Sequence, residues 1–311
     1  AAEIEAYMDA PEVKYVTYTG VVLVSGNYTN VEIEGTSVQG SLDYMSEDFK
    51  KKYNNHEVEI TGWLFGSYKS YMYTIPAEVE DLGEYEEVVP EGAIYYSTFD
   101  KELASQTYGT GSSWPYLDQF DGWINHKGSG VANVDYDYKS MSARTNQSSK
   151  GSLSLYDGSG KNNIFFSSVP TYFTIQKIAV TSQNLKLSFG AQRYAQGATN
   201  TFIKSDFVVR LSSDGQLWSQ ALDYDFGSVA DEPGEWRLAT ADFTLPAGTS
   251  TLYIKFEAKM GSVNRIDDVL LIPGNGGQAI EFGKEEETPL STIAQVLAGP
   301  IDDVYKVEGQ V

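Results

Sequence analysis

From Tyr15 the chain alternates: Tyr15, Thr17 and Thr19 stand against Val16 and Tyr18, and the run closes on "VVLV" at 21–24. A period of two puts successive side chains on opposite faces of a half-buried strand. "SGNYTN" (25–30) turns the chain into "VEIEG" (31–35), and "TSVQGSLDY" (36–44) reads as a third strand. The period then changes. "SEDFKKKY" (46–53) predicts a helix, with Ser46 as its cap, acids in its first turn and lysines in its last. "EVEITGWLF" (57–65) and "SYMYTIPAEVE" (70–80) return to alternation. The order β-β-β-α-β-β is that of a five-stranded OB-like Greek-key barrel, with Gly20 and Gly62 permitting tight coiling of strands one and four. Before the barrel, residues 1–14 predict a short helix with Ile4, Tyr7 and Met8 on one side, closed by Pro11.

After the acidic stretch "EDLGEYEEVVPEG" (80–92), short apolar runs recur between Gly, Ser, Asn and Asp loops. They are "AIYYSTF", "SLSLY", "NIFFSSV", "LKLSFGAQ", "DFVVRLSS", "WRLATADFTL", "STLYIKFEA" and "RIDDVLLIP". Eight such runs with almost no helical pattern predict a two-sheet β-sandwich of jelly-roll type. The expected organisation is a barrel over 1–82, a linker over 83–92, a sandwich over 93–282 and a second acidic linker over 283–290. Residues 291–311 read as the start of another OB-like unit. Shifted by 289 positions without gaps, Ile293 falls on Ile4, Pro300 on Pro11, Gly309 on Gly20 and Val311 on Val22. This tail, "VYKVEGQV" at 304–311, is expected to add to a sheet edge, because an isolated strand leaves its backbone groups unpaired.

Composition narrows the function. A net charge of −21 argues against nucleic acid and anionic membranes, since both require clustered Lys and Arg. The barrel makes this specific: residues 1–88 hold 17 acids, five lysines and no arginine, so aromatic stacking there has no basic groove to serve single strands. No apolar run is long enough to span a bilayer. With no cysteine and two histidines, His56 and His126, thiol chemistry is absent and imidazole chemistry scarce. The 43 acids leave a two-carboxylate hydrolase open without indicating one.

"FDGWINHKGSG" (120–130), "VRLSSDGQLWSQ" (209–220), "EWRLATADFTLP" (235–246) and "RIDDVLLIP" (265–273) resemble segments of carbohydrate-binding-module-like jelly rolls in bacterial cell-surface proteins. The "V-x-G-x-V" type of opening strand resembles the OB-like modules found beside them. The resemblance implies an exported, surface-located protein, with any signal or lipid anchor upstream of Ala1. It also implies binding of a glycan or surface-protein partner through the jelly roll. A structural Ca²⁺ near the first and last strands is implied as well, and Asp100 and Asp268 are the side chains to test. Trp114, Tyr116, Trp123 and Asn125 are the candidate ligand contacts, because aromatic faces stack on sugar rings while amides take hydroxyls. The competing reading makes Trp123 and Trp218 core residues. Two other functions stay open: a structural adhesin stalk, and the accessory region of a larger secreted hydrolase.

Overall fold

The computed structural model describes residues 2–25, 27–36, 38–106, 113–150, 154–156, 158–167, 170–193, 201–228, 233–259 and 263–283. The predicted tail at 291–311 lies outside them. The first unit comprises α1 (Ala2–Asp9), β1 (Lys14–Ser25), β2 (Tyr28–Glu32), β3 (Gln39–Leu42), α2 (Glu47–Tyr53), β4 (His56–Tyr68) and β5 (Tyr71–Glu84). Its strands close a barrel in the order β1-β2-β3-β5-β4, β4 returning to β1, with β3 and β5 parallel. β5 runs two residues past the expected domain end, because His56 and Glu84 are still paired across β4 and β5.

The side chains explain the closure. Val22, Val31, Leu42, Val58 and Ile60 point inward, and Tyr53 of α2 covers one end. Tyr7 of α1 packs with Ile33, Val38, Leu64 and Met72 at the other. There the Gly66 N–H donates to Tyr7 Oη at 3.0 Å. The Ser46 cap forms as predicted, its Oγ accepting from the Phe49 N–H at 3.1 Å. Gly20 and Gly62 serve close approach: a Cβ on either would run into the carbonyl oxygen of Glu32 or Ile75 across the ladder.

The second unit is a sandwich of β6 (Tyr95–Ser97), β7 (Asp135–Lys139), β8 (Met141–Arg144), β9 (Asn163–Phe166), β10 (Thr171–Ala179), β11 (Asn184–Arg193), β12 (Phe207–Ser212), β13 (Arg237–Thr244), β14 (Thr251–Ala258), β15 (Asn264–Pro273) and β16 (Gln278–Ala279). One sheet runs β12-β14-β10-β7; the other runs β16-β13-β11-β15-β9-β8, with β6 also paired to β15. Phe173, Phe189, Phe207, Phe243 and Phe256 are fully buried in their common core.

The structure departs from the expected strands at the run "SLSLY" and at β7, β8, β10 and β16, which lie outside the eight expected runs. β7, with its alternating Asp and Tyr, and β10 were not separated as strands by the pattern. β10 breaks its own alternation at a register shift between Ile175 and Ile178, where Lys177 has a φ of 61°. The predicted strand "SLSLY" is not one at its described residues: Ser154 makes a single bridge to Trp236, and Tyr156 turns onto the outer face of the larger sheet. Trp218 is half-buried beside Lys255, whose ammonium lies 5.0 Å from its ring, so it does not close the core. Trp236 is fully buried instead, its N–H donating to Gln147 O at 2.8 Å.

Candidate functional site

Three of the four predicted ligand contacts gather where the segment after residue 112 lies along β8. Tyr116 bridges Ser142, and backbone bonds run from Leu117 N to Met141 O and from Ala143 N to Pro115 O. Tyr116 is thereby held along a strand edge, the residue 52% exposed. Beside it lies a depression of about 290 Å³, lined by Tyr116, Asp118, Tyr138, Ser140 and Met141. Two tyrosines flanking a carboxylate and a hydroxyl form a small amphipathic groove, suited to a sugar ring. Trp114 is half-buried and packs against the sandwich core.

Trp123 is corrected from contact to core. It is 1% exposed, its indole N–H donates to Leu117 O at 3.2 Å, and no face is open to a ligand. Its ring meets Tyr136 at 4.7 Å, Phe173 at 5.7 Å and Tyr138 at 5.9 Å, all edge-on. It therefore supports Tyr138 from below. Asn125 is corrected likewise, because its amide is already committed. Oδ1 accepts from Ser97 Oγ (2.7 Å) and Phe99 N (2.9 Å), while Nδ2 donates to Thr98 Oγ1 (2.6 Å) and Glu87 Oε2 (3.3 Å). It ties the exit of β6 to the linker.

Asp100 and Asp268 do come together, joined by Asp267. The register of β15 slips between its pairings with Ser188 and Gly190, and Asp268 sits there with a φ of 49°. A loop covers this point: Tyr156 lies over Gly190, where any Cβ would strike its hydroxyl, and Tyr156 Oη donates to Asp268 Oδ2 at 2.8 Å. The Ser159 N–H donates to the same oxygen at 3.1 Å, and the Asn162 N–H to Asp100 Oδ1 at 2.6 Å. Asn162, which the sequence did not single out, is fully buried and organises the surroundings. Its Nδ2 reaches Phe99 O and Glu102 O, and its Oδ1 takes the Ala104 N–H.

Burial dominates the electrostatics of the cluster. It drives the Asp100 and Asp267 carboxyls well above the ordinary range, Lys161 partly offsetting this at Asp100 and Asp268 adding to it at Asp267. Asp268 is pushed up to about 6 by burial, opposed by its bonds to Tyr156 and Ser159. Asp100 Oδ2, Asp267 Oδ2 and Ser159 Oγ are buried without a hydrogen-bond partner. Among the described residues, no three acidic or imidazole groups stand at metal-ligand spacing.

No protein-family model matches the chain, and no curated protein matches it. Several solved structures are similar over part of it. The carbohydrate-binding and catalytic modules of Clostridium thermocellum endo-1,4-β-D-xylanase 10B, complexed with xylohexaose, match at 13% identity and a TM-score of 0.34, over 59% of this chain and 29% of that one. The C-terminal family 22 carbohydrate-binding module of the same xylanase matches at 13% identity and 0.31, over 61% and 99%. The K1 cleaved adhesin domain of Lys-gingipain from Porphyromonas gingivalis matches at 14% and 0.30, over 46% and 92%. Likeness at this level leaves function to the residues of this chain. No helix among the described residues is long and apolar enough to cross a membrane.

Proposed function

We propose that the protein is a non-catalytic glycan-binding protein of the cell exterior, and that its sandwich presents the Tyr116 groove to a sugar. The observation that carries this is Tyr116, half-exposed, bridged to Ser142 and lining one depression together with Tyr138. Both histidines are engaged in structure, which favours binding over catalysis. His56 Nδ1 meets Asp81 Oδ1 at 2.8 Å, and His126 Nδ1 meets Tyr136 Oη at 2.8 Å in a half-buried setting that lowers its pKa. In Tyr116→Ala the melting curve should hold, with a stability change within about 0.5 kcal/mol for an exposed site. Retention on immobilised neutral polysaccharides should fall at least about tenfold. Unchanged retention would return the protein to the stalk reading.

Calcium belongs to the same proposal. The orphaned oxygens of Asp100, Asp267 and Ser159 are hard donors in a buried acidic site, the chemistry a divalent cation with oxygen ligands accepts. The acids are not at ligand spacing as they stand, with Asp268 accepting from Tyr156 and Ser159, so binding would draw them together in place of those bonds. Millimolar Ca²⁺ should then raise the melting temperature at pH 7.5, where Asp268 is ionised, more than at pH 5, where it holds its proton. Equal melting with Ca²⁺ and with chelator at both pH values removes calcium from the description.

A further inference from the structure

The outer face of the barrel carries a pattern that the barrel does not explain. On β1, even-numbered residues face inward, and the outward Tyr15, Thr17 and Thr19 are exposed. The next two outward positions, Val21 and Leu23, are nonetheless buried, to 9% and 8% exposure. The sandwich covers this end of the sheet. Lys150 and Lys161, from the loop before β9, both reach Glu32 on β2, at 3.3 Å and 3.6 Å.

Beside that contact the two units part and leave a cleft of about 890 Å³. Its barrel wall is written by strand register. Glu32 pairs with Gln39 and Gln39 with Tyr71; Asn30 pairs with Ser41 and Ser41 with Tyr73. Each row therefore runs acid or amide, then a short polar group or amide, then a tyrosine ring. Tyr28, 69% exposed, stands at the rim. The opposite wall, from the sandwich, is Thr145, Ser148, Lys150, Gly160 and Lys161.

We infer that this cleft is a second binding site, for a neutral oligosaccharide held between the barrel and the sandwich. Its chemistry selects that class. Tyrosine rings offer faces to the C–H side of a pyranose, and the Asn, Gln, Ser and Thr side chains offer paired donors and acceptors to hydroxyls. Both lysines are already matched to Glu32, and Asp43 adds a further carboxylate, so a polyanion finds no surplus positive charge in a chain of net charge −21. Among the described residues, Leu23 and Leu103 are the only aliphatic side chains in the lining, too few to retain an apolar peptide or lipid. The volume accommodates several sugar units. In this reading the barrel is half of a binding site and not a spacer. It is independent of the Tyr116 groove.

The test is calorimetric titration of the full chain with cellohexaose, xylohexaose and mannohexaose, beside a sulfated polysaccharide. At least one neutral hexaose should bind and the polyanion should not. Tyr71→Ala/Tyr73→Ala should weaken that binding about tenfold or more, as should Thr145→Trp, which fills the cleft from the other wall and leaves the barrel untouched. If the tyrosine variant loses cooperative melting, Thr145→Trp decides alone. Tyr116→Ala should leave this component intact. Loss of binding only in Tyr116→Ala would support the groove and overturn the cleft, as would preference for the polyanion or no neutral hexaose binding at millimolar concentration.

Discussion

Trp123→Ala should cost about 3–5 kcal/mol of unfolding free energy, the range for truncating a fully buried large aromatic. The indole is 1% exposed and is gripped from four sides by Phe99, Tyr136, Tyr138 and Phe173. Those rings come from the β6 exit, β7 and β10, so little can collapse into the space left behind. The substitution also strips Leu117 O of its donor. Leu117 follows Tyr116, so glycan retention by the groove should weaken together with stability. Urea denaturation followed by tyrosine and tryptophan fluorescence measures the first effect. A loss below about 1 kcal/mol would place Trp123 at the surface and restore it as a contact.

The second large effect lies in the acid cluster. A carboxyl whose folded pKa is raised above its unfolded value near 3.8 is harmless to the fold when protonated in both states. Its penalty develops as pH rises through the window from there to the folded value, about 6 for Asp268. Ionisation of Asp268 therefore destabilises the fold progressively across that window. Lys161 relieves part of the cluster's burden, while Glu87 adds to it at Asp268. Asp268→Asn keeps an acceptor for Tyr156 and tolerates the φ of 49°, since Asn shares the left-handed preference of Asp. In chelated buffer this variant should be more stable than the parent at pH 7.5 and similar to it near pH 4. Chemical denaturation at the two pH values reads this directly. A variant weaker than the parent at pH 7.5 would mean that the ionised carboxylate is itself required there.

The barrel was legible because each of its signals is local. Alternation, a capped helix and two glycines at crowded ladder positions stand in the sequence in order, and the closed five-strand topology follows from them. The sandwich was legible as a class, but β10 hid behind its register shift and β7 behind its aspartates. The aromatic-rich stretch around Tyr116 stands out in composition, and the structure leaves Tyr116 exposed. Trp123 and Asn125 could not be assigned from their neighbours, because an indole and an amide look alike in sequence whether they face solvent or a core. Asp267 and Asp268 stood together in the sequence, whereas Asp100 joins them only through the fold. The inter-unit cleft left no local trace, since its tyrosines and amides lie on three strands and align only through pairing. Its one signature is the burial of Val21 and Leu23, which no sequence pattern reports.

The smaller sheet of the sandwich ends in two strands, and each ending has its own answer to self-association. The free side of β12 is occupied by the chain itself, through bonds from Ser219 N to Leu211 O and from Leu222 N to Val209 O. The other end, β7, carries Asp135, Asp137 and Lys139 at successive exposed positions. A second copy laid antiparallel along β7, centred on Asp137, would set that carboxylate against its own twin, with like charges directly opposed. Sheet growth into fibrils is thereby discouraged at β7, which ends the smaller sheet among the described residues.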